Sequence, residues 1–361
     1  MAVKTPQETL YIAWIIGTKD ILDAMKHKGI RTNLLVMVVM VLFFYWFGTL
    51  RPFDKDVSVV VYDEGHTNLA IEKIQLRDGA TYTFHEALSR SEMEWKMAHR
   101  ELGLVLPADF DQTLISRGTP SVDGYVFWVD RMRVAELEAK YSQAFAEILG
   151  QPIRVEIAGN IIVPRSDAVG MQTTVSFQLV YFIFWTGMSL IPYLMLEEKQ
   201  AKTMDALLTS PASVGQVVLG KAFAGFFYIL VVGGFAVALN WAYVVHWGLA
   251  LAAFLGYALF ASGLALALGS LVKSPRQLGI WSVVLLLLAV IPPLLYMEPN
   301  LKPGIRMVLA WFPTSALSSL FRFACSADVA PPQLLPNLAV VVLSIGLAFG
   351  LVIWKVRRSD R

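Results

Sequence analysis

Six stretches of the chain are almost continuously apolar, and the polar residues gather between them. They run from about 34 to 50, 174 to 196, 218 to 240, 249 to 272, 277 to 297 and 337 to 354. Each is close to the roughly 20 residues a helix needs to cross about 30 Å of hydrocarbon. The pattern predicts a polytopic α-helical membrane protein with six transmembrane helices. Before the first run, residues 1–31 are polar with Leu10, Tyr11, Ala13, Trp14, Ile15, Ile21, Leu22 and Met25 at helical spacing. With Lys19, Lys26, Lys28 and Arg31 close by, this predicts an amphipathic leader helix lying on the inner membrane surface.

Between the first and second runs the pattern changes. Residues 51–172 carry mixed charge and no spanning run. Short apolar strands are predicted at 57–63, 102–107 and 124–129, and helices at 66–76, 87–100 and 132–149. Strand–helix alternation over roughly 120 residues implies a small α/β domain able to bury its own core. The domain organisation is therefore a leader (1–31), a first transmembrane helix (32–50), the α/β domain (51–172) and a five-helix transmembrane region (173–361). Residues 298–336 are too apolar for a free loop, and with Pro299, Pro303 and Pro313 interrupting them they predict two short helices at the outer interface.

Lysine and arginine set the orientation. The leader has five, the 197–221 connection three, the 273–276 turn Lys273 and Arg276, and the KVRRSDR tail four, whereas the opposing 241–248 turn has none. The positive-inside rule then puts both termini in the cytoplasm and 51–172 outside, in the periplasm of a bacterium, with the chain in the cytoplasmic (inner) membrane.

Composition narrows the chemistry. An apolar fraction of 56%, a charged fraction of 16% and a mean hydropathy of +0.56 agree with the membrane reading, and a net charge of +2 gives no case for nucleic acid. The one cysteine, Cys325, cannot form an internal disulfide. His66, His85 and His99 are too scattered to suggest a metal site. With Lys221 counted to the polar connection, no Asp, Glu, Lys, Arg or His falls inside an apolar run. That argues against an ion-coupled carrier, which keeps such groups at membrane depth. Ala261, Ala265 and Gly269 on one face of the fourth run, and the Gly346–Gly350 pair in the sixth, predict close helix packing.

The polar passage 196–221, LEEKQAKTMDALLTSPASVGQVVLGK, carries the strongest motif. TMDALL (203–208) predicts a short helix with Met204, Leu207 and Leu208 on one face, and Ser210–Pro211 a helix start. A small apolar knob of this kind suits a groove on a soluble partner. Gly215–Lys221 copies the G-x-x-x-x-G-K phosphate-loop spacing, but Ala222 stands where Ser or Thr should hold magnesium and no strand precedes it.

The stretch resembles the coupling segment of type-2 ATP-binding-cassette (ABC) export permeases, with the pattern E-x-E-x-x-T-x-E-x-L-L-x-T-P. Glu198, Thr203, Asp205, Leu207, Leu208 and Pro211 fall on it. Gln200 replaces the second acid, Asp205 the later glutamate, and Lys202 a frequent glycine. AWFPTSALSSLFR (310–322) is similar to the family's L-N-P…R segment, with Phe312 for the asparagine and then Pro313 and Arg322. VSVVVYDEG and GLVLPADFDQTLISRG resemble passages of the subgroup that has a large extracytoplasmic domain after the first span.

The resemblance implies a non-catalytic permease subunit that couples ATP hydrolysis elsewhere to export of a drug, lipid or similar amphiphile. The coupling segment is 197–217, with Met204 among its contact residues. The implied partners are cytoplasmic ABC ATPase subunits, an identical or homologous second permease subunit and membrane lipid, with a periplasmic adaptor protein as a further candidate. ATP and magnesium belong to the ATPase, and no cofactor is expected in this chain. The competing readings are an ATPase-driven mechanotransmission complex without cargo, a membrane enzyme, and a membrane-anchored receptor.

Overall fold

A computed structural model describes residues 6–26, 28–49, 56–65, 73–75, 81–97, 102–164, 171–200, 214–298, 301–329 and 331–359. The chain divides into two compact units. One joins Met1–Trp46 to Met171–Arg361; the other is Phe47–Gly170.

The first unit is helical. It contains α1 (Pro6–Lys26), α2 (Lys28–Thr49), α6 (Met171–Gln200), α7 (Val214–Leu239), α8 (Trp247–Leu271), α9 (Pro275–Tyr296), α10 (Pro303–Ala310), α11 (Pro313–Ala324) and α12 (Pro331–Ser359). Among the described residues α6, α7, α8, α9 and α12 are each long and apolar enough to cross a membrane. The pair α1–α2, bent by 84°, adds a sixth if counted as one broken span.

Helix α8 lies at the centre, its alanines and glycines letting neighbours come close. Gly187 of α6 meets Ala261, and Gly263 of α8 meets Ala348 and Phe349 of α12. Hydroxyls in the bundle mostly donate to their own helix: Thr186 to the Phe182 carbonyl, Ser262 to Ala258, Ser319 to Ser315. A helix satisfied in this way can be buried without a polar partner.

The prolines between the fifth and sixth spans start the two short helices. Pro303 and Pro313 occupy the first turns of α10 and α11, where the missing N–H would have had no helical acceptor. Pro299 lies outside the described residues. The α8–α9 turn is closed by Ser274, which accepts from the Gln277 amide, while the Gln277 side chain accepts from the Lys273 amide. The other turn of α8 hangs on α11: the amides of Val245 and His246 both donate to the Ala324 carbonyl.

The second unit is a mixed sheet with helices on both faces. Its elements are β1 (Asp56–Asp63), β2 (Lys73–Gln75), β3 (Thr81–Ala87), α3 (Arg90–Lys96), β4 (Leu102–Leu106), α4 (Phe110–Ile115), β5 (Ser121–Phe127), α5 (Val134–Leu149), β6 (Arg154–Glu156) and β7 (Ile161–Ile162). The strand order is β2-β3-β1-β4-β5-β6, with β7 also on β5. Val57 and Val59 point to the face covered by Tyr141 and Phe145 of α5, and Val60 to the face covered by Met93 and Met97. That is why VSVVVYD is apolar at nearly every position: β1 is buried on both sides. Ser89 caps α3 by accepting from the Glu92 amide. Hydrogen bonds from Lys96 and the Leu88 amide hold the Glu92 carboxyl below its usual pKa.

Two local expectations change here, and one strand appears where no element was expected. Residues 73–75 form a strand, not the end of a helix, and 66–72 lie outside the described residues. Thr81–Ala87 is a strand paired in parallel with β1, from Asp56 opposite Thr81 to Tyr62 opposite Ala87. Within the stretch 87–100 expected as a helix, Ala87 ends that strand and the helix is Arg90–Lys96, with 98–100 outside the described residues. A strand stabilised by a partner some 25 positions away leaves only a weak local signal.

Candidate functional site: the polar connection and its helical supports

The segment singled out for partner contact is carried by α6 and α7. Both helices reach further than the apolar runs suggest: α6 continues through Gln200, so Glu198 sits on its last turn, and α7 begins at Val214. Thr203, Met204, Asp205, Leu207, Leu208 and Pro211 fall within 201–213, outside the described residues.

The start of α7 agrees with the rejection of a phosphate loop. GQVVLGK is helical from Val214 onward, so no loop of amides is available to cradle a phosphate. Gly220 serves packing: a Cβ there would lie 2.7 Å from the Ile16 Cβ and 2.9 Å from the Ala13 carbonyl. Gly17 answers it from α1, where a Cβ would lie 2.8 Å from the Gly220 carbonyl. Trp14 packs on Phe223 with ring centroids 4.7 Å apart.

Lys221 lies two turns inside α7 and is 0% exposed, not part of a polar connection. The third apolar run therefore does contain an ionisable group, at this position. Its Nζ sits 3.3 Å from Oδ2 of Asp20, itself 8% exposed. Charges removed from water together must stay paired, and deleting one partner of such a pair costs about 3–5 kcal/mol. Two further ties flank the pair. Gln216 Nε2 donates to Thr9 Oγ1 at 3.4 Å, and the Tyr228 hydroxyl donates to the Ile21 carbonyl at 2.7 Å.

The leader helix is thus seated on α7 by Ala13, Gly17, Asp20 and Ala24. Leu10, Tyr11, Ile15, Leu22 and Met25 stay exposed on its other sides, and Trp14 is partly exposed at the edge of the contact, against Phe223. The spacing of Ala13, Gly17, Asp20 and Ala24 was the available signal: small residues and one acid on a single helical face mark close approach, not solvent.

The support on the α6 side contains a proline. Pro192 has no amide to give the Met188 carbonyl, and Ser282 Oγ of α9 donates to that oxygen at 3.3 Å. Gly269 of α8 abuts the same place: a Cβ at 269 would lie 2.8 Å from the Pro192 carbonyl and 2.8 Å from the Met195 Cβ. Ala261 and Ala265 are fully buried along the same helix. Gly346 and Gly350 differ, since a Cβ at either would meet nothing within 4 Å of this chain. Cys325 is a buried free thiol at the end of α11.

A family model described as ABC-2 family transporter protein matches residues 28–354. The chain belongs to this family. The match runs from α2 to near the end of α12 and takes in the polar connection. This ABC-2 protein is a multi-pass permease subunit, and membership implies an ABC ATPase subunit as partner. No curated protein matches the chain.

Proposed function

We propose that this permease subunit couples ATP hydrolysis by a separate cassette ATPase to export of an amphiphile such as a drug or lipid. The observation that carries the reading is the pair of helical supports. α6 ends at Gln200 and α7 begins at Val214, the stretch that joins them in sequence carries TMDALL with the composition of a docking knob, and α7 is braced by α1. Leu207 and Leu208 supply the apolar contact with the ATPase, with Met204 beside them. Glu198 and Asp205 supply charge complementarity, which governs encounter and register more than affinity. Thr203 and Pro211 shape the segment. The permease works as a pair in the bacterial inner membrane with both termini cytoplasmic, and Phe47–Gly170 faces outward, where an adaptor protein has access to it. Lys221 is compatible with this reading because its charge is matched by Asp20 instead of facing an ion path.

The test is co-purification of the tagged full-length protein in detergent, with ATPase assay of whatever accompanies it. Changing Leu207 and Leu208 to serine should reduce recovery of the ATPase about tenfold or more, as expected for loss of a central apolar anchor, while the permease still accumulates in the membrane. Undiminished recovery from that variant would remove the coupling assignment. A polypeptide that never carries an ATPase would return the anchored-receptor reading to first place.

A further inference from the structure

The buried Asp20–Lys221 pair does more than neutralise two charges. It is the middle of three polar ties, Thr9–Gln216, Asp20–Lys221 and Ile21–Tyr228, whose members advance in the same direction along α1 and α7. From first to last they span 12 residues on each helix, about 18 Å at the α-helical rise. The facing glycines 17 and 220 bring the two backbones together between the first tie and the pair. A slide of one turn would break all three ties and drive Ile16 or Phe223 into a glycine's place. A swing of α1 off α7 would leave a lysine and an aspartate desolvated and unmatched, so the joint has one deep arrangement and no second one of similar energy.

We infer that Asp20 and Lys221 are a positioning pair that makes α1 and the first half of α7 a single rigid lever. Movement at the 201–213 connection is thereby delivered to the leader helix and, through it, to α2. This rests on the coupling role proposed above but concerns a different contact, internal to the chain. The small charged pair sets where α1 is held; the ATPase contact sets what moves it.

The test uses the full-length protein in lipid nanodiscs, alone and with its co-purified ATPase. Spin labels go on exposed positions of the two helices, Leu22→Cys on α1 and Leu219→Cys on α7, with Cys325 replaced by alanine. The expected result is one narrow distance distribution that is the same without nucleotide and in the ATP-trapped complex. Lys221→Met should broaden it and lower ATPase turnover of the bound subunit by about two- to thirtyfold, the range for residues that carry coupling without touching ligand. The Asp20→Leu/Lys221→Met double variant, which removes both charges of the pair together, should restore both the narrow distribution and the turnover. A purely local structural role would broaden the distribution in Lys221→Met without lowering the turnover of the bound ATPase.

A shift of about 5 Å, one helical turn, between nucleotide states of the unmodified joint would overturn the inference and make the contact a switch. So would a Lys221→Met variant with unchanged distances and turnover. Should Lys221→Met fail to accumulate, the nucleotide comparison and the milder Tyr228→Phe variant, expected to broaden the distribution slightly, decide the matter. If no ATPase binds at all, the coupling role falls, while the distances with and without Lys221 still judge the joint.

Discussion

Replacing Gly269 by alanine measures how tightly α6 and α8 are packed beside the polar connection. The new Cβ would lie 2.8 Å from the Met195 Cβ, 2.8 Å from the Pro192 carbonyl oxygen and 3.0 Å from the Pro192 Cα. Ordinary contact begins near 3.4 Å, so the helices must part by roughly half an ångström. None of the three atoms is the free end of a flexible side chain. Forced overpacking costs about 1–3 kcal/mol, against about 1 kcal/mol gained because alanine is the better helix residue. The matched control is Gly234→Ala on α7, where a Cβ meets nothing within 4 Å and only the propensity gain operates. Subtracting the two removes the propensity difference and leaves the overpacking cost, a gap in Tm of about 2–12 °C between the variants. The protein carries its own probe. Cys325 is the one cysteine and is 2% exposed, so a thiol-reactive fluorophore reports opening of the bundle during a thermal scan. Equal rises in Tm for the two variants would refute the close-packing argument at Gly269.

Two other sites give cheaper tests. Ser282→Ala strands the Met188 carbonyl that Pro192 has already deprived of its helical donor, and should cost about 1 kcal/mol in the same scan. In a Pro192→Ala background the helix can close that bond itself and Ser282→Ala should become nearly silent; an equal loss in both backgrounds would show that the serine acts otherwise. Arg117 ends α4 at φ 58, the left-handed region, with the Gly118 amide donating back to the Thr113 carbonyl. Arg117→Gly should stabilise that turn by about 0.5–1 kcal/mol, the relief of strain exceeding glycine's extra freedom in the unfolded chain. Slower hydrogen exchange at Gly118 is the expected readout, and faster exchange would contradict it.

The apolar runs by themselves determined the class of protein, because a run of about 20 apolar residues has few stable environments other than a membrane. The motif around Leu207–Leu208 pointed to the family, and residues 28–354 match it. The strands at 57–63 and 102–107 were legible because burial on both faces forces near-continuous apolarity. Other features depended on what lay far away in sequence. Lys221 reads as the end of a polar loop until Asp20, 201 positions earlier, is seen against it. Gly215–Lys221 fails as a phosphate loop already in the sequence, but only the packed helices show that Gly220 is there to let α1 approach α7. Thr81–Ala87 becomes a strand through β1, and the Met188 carbonyl that Pro192 leaves without a helical donor is met by a serine on another helix. Hydrophobic length and local motifs act along the chain, so they can be read from it. Charge pairing, glycine contacts and parallel strand partners are decided by which residues the fold brings within a few ångströms, and that is information only the tertiary structure contains.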